Sequence, residues 1–387
     1  MNELLLFLRQ SHGRRIVLFG TGPSAAHHLS LLPFPAPAYA VDNDPARWGV
    51  PFEGLEVRSP EVLRTEAADK LHVVIACTAI EEVSAQLTTY GLRAGADFSP
   101  SPFMDRQPGA AFNHVGPLLV SCLGHRGGLY RVDPATGDVR LLVTGNFRGL
   151  ARHPEGYLAV HEHEGFHLLD PALAPIRCVG IRQRLNLHGV AVEAEGGRVF
   201  INETALDRVG IYDLHTLERQ GEILPPPDGV GGADLRHIND VAIQDRALWL
   251  SMFSYAGVWR ERNWRDGAVM RLPLDGDAPA RIVHSGLRQP HSLLFTDGKL
   301  LTCNSLECEV LEDGEPLVGF GGYTRGLAAV GGVLIVGQSR IRRLTRFPGR
   351  LRALSLDCGL HLWDPASRAT RFVPLPAEAI FAILPLA

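Results

Sequence analysis

One short pattern recurs along this chain, and it restricts the fold more than any other feature of the sequence. A polar residue, a small residue and an apolar run appear together as Phe147-Arg148-Gly149-Leu150-Ala151, Leu187-His188-Gly189-Val190-Ala191, Ile238-Asn239-Asp240-Val241-Ala242, Pro290-His291-Ser292-Leu293-Leu294 and Thr324-Arg325-Gly326-Leu327-Ala328. A looser sixth copy is Ile380-Phe381-Ala382-Ile383-Leu384. Steps of 40, 51, 52, 34 and 56 residues separate the copies. Each of the first five is followed by a second apolar run, so one repeat has the length and rhythm of a four-stranded blade. Six copies predict a six-bladed β-propeller.

The two ends of the array are complementary. Pro117-Leu118-Leu119-Val120-Ser121-Cys122 reads as a strand with no inner-strand copy before it, whereas Ile380 to Leu386 reads as an inner strand without a blade of its own. Pairing them supplies both shortages and closes the ring, which removes two exposed sheet edges. The 41 glycines and 27 prolines suit the many tight turns of such a chain.

The chain before the array has a different rhythm. Arg15-Ile16-Val17-Leu18-Phe19 is an apolar run that leads into Gly20-Thr21-Gly22-Pro23-Ser24-Ala25, which is the order strand, glycine turn, helix start. Gly20 suits the tight turn, Gly22 the approach of a phosphate to the backbone, and Ala25 the close packing of helix on sheet. A second strand ends at Asp42, where an acid accepts hydrogen bonds from a ribose. Gly54 to Val57, a helix-start signal at Ser59-Pro60-Glu61, the run Leu71 to Cys77 and a helix from Ala79 to Leu92 continue the alternation of a parallel α/β sheet. The expected organisation is a Rossmann-like nucleotide-binding domain over residues 1–100, a linker at 101–112 and the propeller over 113–387.

Charge and composition narrow the partners. A net charge of −4 gives no long-range attraction to nucleic acid or to an anionic membrane. Leu4 to Leu8 is too short for the core of a signal peptide. The six cysteines are scattered and none forms a CxxC pair, so free thiols in a reducing cytoplasm are expected.

In a propeller, the starts of the inner strands and the turns between second and third strands share one face of the ring. Arg148, His188, Asn239, His291, Arg325 and Phe381 therefore fall in one register around the channel, with Asp240 beside them. Loops on that face bring His161, Glu162, Glu203, Asn304 and Gln338, and two longer loops bring Trp259 and a run of arginines from Arg340 to Arg352. Guanidinium matches carboxylate and phosphate in bidentate fashion, so Arg148 and Arg325 point to an anionic small molecule. His188, His291 and Asp240 are candidates for acid/base work. Arg148, Asn239, Arg325, Glu203, Asn304 and Trp259 are candidates for substrate binding, and His188, Asn239 and His291 form a possible divalent-metal set.

Residues 15–98 resemble the small nucleotide-binding domain at the front of sugar O- and N-acetyltransferases, on Phe19-Gly20-Thr21-Gly22, on Val41-Asp42-Asn43-Asp44-Pro45 with Trp48-Gly49, and on Ser59-Pro60-Glu61-Val62-Leu63. The resemblance implies a nucleotide or nucleotide sugar held at Gly20, Gly22 and Asp42, although no hexapeptide repeat or methyltransferase motif follows. Residues 110–387 resemble a family of uncharacterised bacterial propellers, on Asn146 to Ala151, His237 to Asp240 and Gln289 to Leu293. More distantly, the Asn239-Asp240 pair is similar to one in the gluconolactonase and senescence-marker group, hydrolases of sugar lactones that hold a divalent metal in the channel. Their first-blade carboxylate falls where this chain has Arg148, and a propeller lyase with histidine zinc ligands needs a third histidine where this chain has Asn239. Three readings follow: an enzyme acting on an anionic, sugar-derived small molecule in the channel, by a metal-assisted hydrolase or lyase route; a ligand-binding or scaffold propeller without turnover; and a nucleotide-sugar processing protein centred on the first domain.

Overall fold

The structure is a computed structural model that describes residues 3–31, 36–103, 112, 114–226, 233–261, 265–275, 279–341 and 353–386. The chain divides into two compact units, Met1–Ala111 and Phe112–Ala387.

The first unit is built on five parallel strands, β1 (Arg15–Phe19), β2 (Tyr39–Val41), β3 (Val57–Arg58), β4 (Leu71–Ile75) and β5 (Phe98–Pro100), in the order β3-β2-β1-β4-β5. Its α-helices are short: α1 (Glu3–Ser11), α2 (Pro23–Leu31) and α3 (Ile80–Thr89). Alternation decides the layers. Val17, Phe19, Val73 and Ile75 bury one face with Val83 and Leu87 of α3, while Ile16, Leu18 and Val74 bury the other with Phe7 of α1 and Ala25 of α2. A parallel sheet covered on both faces requires such unbroken apolar strands. The helix expected after Ser59 is instead a single 3₁₀ turn, Pro60–Arg64, started by Ser59, whose Oγ accepts from the Glu61 N–H at 3.4 Å.

The second unit is a ring of six four-stranded antiparallel sheets. Blades 1 to 5 have the inner strands Phe147–His153, Leu187–Glu193, Ile238–Gln244, Pro290–Thr296 and Tyr323–Val330. Blade 6 combines the chain ends: Ala379–Pro385 pairs antiparallel with Leu118–Leu123, in the register Ile380 to Cys122 and Leu384 to Leu119. Ile380 and Cys122 are completely buried in the largest apolar cluster of the ring, against Ile335 and Leu360 of blade 5.

Every inner strand carries a bulge at the recurring motif, where one extra residue stands against its neighbour strand. The small residue of the motif is required because the next blade crosses there. A Cβ added to Gly149 would lie 2.6 Å from the His188 carbonyl oxygen, and one on Gly189 would lie 2.7 Å from Asp240 Cα. Short polar side chains tie each inner strand to its neighbour. Thr204 Oγ1 donates to the Ile238 carbonyl at 2.6 Å, Ser305 Oγ to the Thr324 carbonyl at 2.6 Å, and Ser339 Oγ accepts from Ile380 N–H at 3.0 Å. Asp240 serves the same purpose, accepting from Leu293 N–H of blade 4 at 2.9 Å and from Val241 N–H at 3.0 Å.

Candidate functional site

Three blades present their channel residue by the same local device. Asn186, His237 and Gln289 have φ of 50°, 55° and 51°, which turns each of their carbonyls back toward the side chain two residues later. His188 Nδ1–H donates to Asn186 O at 2.8 Å, Asn239 Nδ2–H to His237 O at 3.2 Å, and His291 Nδ1–H to Gln289 O at 2.9 Å. Because Nδ1 faces a carbonyl in both histidines, the ring proton sits there and Nε2 keeps its lone pair.

These side chains gather around Phe381. The guanidinium carbons of Arg148 and Arg325 lie 5.6 and 4.6 Å from the centre of its ring, and the imidazoles of His188 and His291 meet it edge-on at 5.5 and 6.5 Å. A cavity of about 330 Å³ opens above them at the channel mouth. Arg148, Arg325 and Arg340 line it with His237, His291 and the aromatic wall of Phe253, Trp259 and Tyr323, and none of its lining residues is a carboxylate. Arg148 is turned by partners outside the cavity, among them Glu162, with which it forms an ion pair, and His188, whose Nε2 accepts from Nη1 at 2.5 Å. His188 and His291 are both driven well below the usual imidazole pKa, first by burial and then by the arginines, so both are neutral at pH 7.

The structure brings Arg148, His291, Arg325 and Trp259 to the cavity and assigns other work to the remaining candidates. His188 is fully buried with both ring nitrogens bonded within the protein, so it orients Arg148 and is available neither as acid/base nor as a metal ligand. Asp240 joins two inner strands, and its carboxyl, pushed up to about 6 chiefly by burial, is committed to backbone N–H groups. Glu203 is not a substrate ligand: it is fully buried inside blade 2, paired with Arg208, with Arg219 at 2.9 Å and with Tyr212 Oη at 2.6 Å. Asn304 accepts from Arg288 N–H at 2.7 Å and donates to Glu309 at 2.8 Å, which shapes the turn after its strand. Asn239 is buried and stands outside the cavity lining, with Oδ1 unpartnered.

A divalent metal does not fit the set His188, Asn239 and His291, because a guanidinium already occupies the His188 lone pair and a second one lies over the same aromatic ring. Among the described residues no group of three His, Cys, Asp or Glu is placed to hold a metal ion. The arginines Arg342, Arg343, Arg346, Arg350 and Arg352, and Trp264, lie outside the described residues. His237, Phe253 and Tyr323 are cavity residues that the repeat register did not select; His237 escapes it by one position, standing just before the inner strand.

In the first unit Gly20 has φ of 107°, and a Cβ there would lie 3.0 Å from Cys77 Cβ, so the turn needs glycine. Above Gly22 the space is open, with no atom within 4 Å of an added Cβ. Asp42 accepts from Thr21 Oγ1 at 2.6 Å and from Asp44 N–H at 2.9 Å, which fixes its carboxylate at the end of β2 beside the glycine turn.

The second unit is thus a six-bladed β-propeller with an arginine- and histidine-lined cavity at one mouth of its channel. The chain belongs to the family described as a domain of unknown function (DUF4915), whose model matches residues 176–372, half of the chain. Similar solved structures include one titled as a nidogen/laminin complex, 15% identical, with a TM-score of 0.50 over 69% of this chain and 97% of that one. A protein of unknown function from Bacteroides caccae is 11% identical, with a TM-score of 0.49 over 69% and 97% of the two chains. At 15% identity the likeness to the first of these is one of fold alone. No curated protein matches the chain. Among the described residues no helix is long and apolar enough to cross a membrane.

Proposed function

We propose that the propeller binds a small hydroxylated organic anion in its axial cavity. The observation that carries this reading is the charge of the lining, three arginines and no carboxylate. Arg148 keeps Glu162 as a partner outside the lining, and guanidinium groups that line a low-dielectric cavity favour a carboxylate or phosphate bound within it. His291 adds a second requirement. Its Nε2 is buried, bears a lone pair and has no partner, so a ligand that leaves it unsatisfied loses free energy, whereas one that supplies a hydroxyl or N–H proton satisfies it. Phe253, Trp259 and Tyr323 offer ring faces and edges to a carbon skeleton. A carboxylate or phosphate on a hydroxylated, sugar-like frame meets all three conditions.

The test is calorimetry and thermal shift with hydroxy acids, aldonic acids and sugar phosphates, each beside its deoxy analogue. Arg325→Ala is expected to weaken binding of the best ligand by about 1.5–3 kcal/mol. His291→Phe should erase the preference for the hydroxylated member of each pair. Equal binding by native protein and Arg325→Ala would sink the proposal.

A second reading concerns the first unit. The order β3-β2-β1-β4-β5 reverses direction at β1, and the glycine turn and Asp42 stand at the carboxyl ends of β1 and β2 beside that switch point, which supports a Rossmann-like unit holding a nucleotide or nucleotide sugar. Since the space above Gly22 is open, Gly22→Val should fold normally and lose nucleotide binding. Binding retained by that variant would refute the placement.

A further inference from the structure

The axial cavity holds a histidine built differently from the other two. Nδ1 of His237 lies 2.8 Å from Oδ1 of Asp234. The ring packs against Phe253 and Trp259, each with its centroid 4.5 Å away, and it meets His188 edge-on at 5.1 Å. That leaves the Nε2 edge to the cavity, which His237 lines with 14% of its side chain exposed.

The position is held against strain. His237 has φ of 55°, a left-handed conformation that a side chain disfavours. The Asp207 carboxylate compensates by accepting three consecutive N–H groups, from Leu235 at 2.6 Å, Arg236 at 2.8 Å and His237 at 3.0 Å. Asp234 is fixed in turn by Arg260, which donates to Oδ2 at 2.8 Å, and by Trp259 Nε1–H, which donates to its carbonyl at 2.6 Å. Strain kept in place by surrounding bonds accumulates at functional positions.

Chemistry separates the three histidines. His188 spends both nitrogens on the protein, and His291 has a neutral carbonyl behind Nδ1. Only His237 has a carboxylate there. A carboxylate that accepts Nδ1–H fixes the tautomer with the lone pair on Nε2 and stabilises the imidazolium formed when Nε2 takes a proton.

We propose that Asp234 and His237 form a proton-transfer dyad, and that the axial cavity is a catalytic centre in which His237 Nε2 is the general base toward a hydroxyl of the bound anion. This rests on the anion-binding reading above. As the Nε2–H bond forms, the ligand O–H bond breaks and its oxygen keeps the electron pair, near Arg148 and Arg325. The Nδ1–H stays shared with Asp234, a positioning residue. The groups that face His237 are Asp234, with Arg260 behind it, neutral His188 and His291, Arg148 and Arg325 across the cavity, and Asp207 beneath its backbone. Burial, with the two cavity arginines, holds its pKa below the usual imidazole value against the pull of Asp234, so the base form prevails at pH 7.

Bromoacetate tests this on the full-length protein. Its carboxylate suits the arginines, and its methylene carbon is attacked by a neutral imidazole nitrogen, which forms an N–C bond and expels bromide. Modified residues are mapped by mass spectrometry between pH 5 and 8. Saturable carboxymethylation of His237 ahead of every other histidine is expected. Asp234→Asn should slow it by about tenfold or more and lower the pH midpoint of the rate, since Asp234 raises that midpoint. Arg325→Ala should raise the half-saturating concentration without moving the label. Preferential labelling of His291, still dependent on Arg325, overturns the dyad and leaves the anion pocket standing. Asp234-dependent labelling of His237 that does not saturate and ignores Arg325→Ala keeps the dyad and overturns the anion pocket. An unchanged rate and pH midpoint in Asp234→Asn overturns the dyad, and if that variant fails to fold, the order of labelling among the native histidines decides.

Discussion

Asp240 shows how a side chain that looks chemical can be structural. Its motif position promised a reactive carboxylate, yet two backbone N–H groups from adjacent blades claim it. Burial outweighs those bonds and the pull of Arg325, which leaves a carboxyl pushed up to about 6. An unfolded aspartate titrates near 3.9, so the folded state binds this proton more tightly. The contribution of Asp240 to stability is therefore full below about pH 3.9 and is lost as pH rises through about 6. Buried neutral histidines such as His188 and His291 act in the opposite sense, losing stability as pH falls below 6.5. The informative quantity is thus the difference between native protein and Asp240→Asn in urea midpoint, measured at pH 5 and pH 7. Native protein should lose ground relative to the variant at the higher pH, and a difference independent of pH would contradict the assignment.

At the scale of the single blade, polar clusters between strands set what is rigid. In blade 2, Glu203 lies under Arg208, Arg219 and Tyr212, with no exposure of its own, and Tyr212 is driven upward by burial and by that carboxylate. Removing one member of a buried ionic cluster strands the others, so Glu203→Ala should cost about 3–5 kcal/mol in urea unfolding. Ligand affinity in the axial cavity should be unchanged in the folded fraction. A weakened ligand with normal stability would return Glu203 to the binding site. The same scale explains the recurring motif: the polar residue faces the channel, the small residue clears the neighbouring blade, and the apolar run enters the core between blades.

For the whole propeller, closure is the event on which stability depends. The last strand buries Ile380 completely and Ile383 to 6% exposure, and it completes the sheet that begins at Leu118. Ile380→Ala alone should cost about 2–5 kcal/mol, the usual range for an aliphatic side chain lost from a core. Deletion of residues 380–387 should cost more, because it also opens two sheet edges, and should make the ring susceptible to proteolysis across several blades. A truncated chain with native urea stability would exclude closure by this strand.

The repeat, the blade number, the join between the chain ends and the register of Arg148, His188, Asn239, His291 and Arg325 were all legible in the sequence, because each rests on local periodicity and on the need to bury an apolar strand. Four of the five parallel strands of the first unit were legible for the same reason, whereas β5 (Phe98–Pro100) was not and the helix after Ser59 shrank to one turn. The partners of those polar residues were not legible. That Arg148 satisfies His188, that backbone N–H groups of two blades claim Asp240, and that Asp234 stands behind His237 depend on elements brought together from different parts of the chain. Local sequence did not select His237, Phe253 or Tyr323, but it determined the register that brings Arg148, His291 and Arg325 to the channel. Tertiary structure alone decided which of them keep a lone pair or a charge for a ligand, because that depends on which neighbouring groups reach each polar atom.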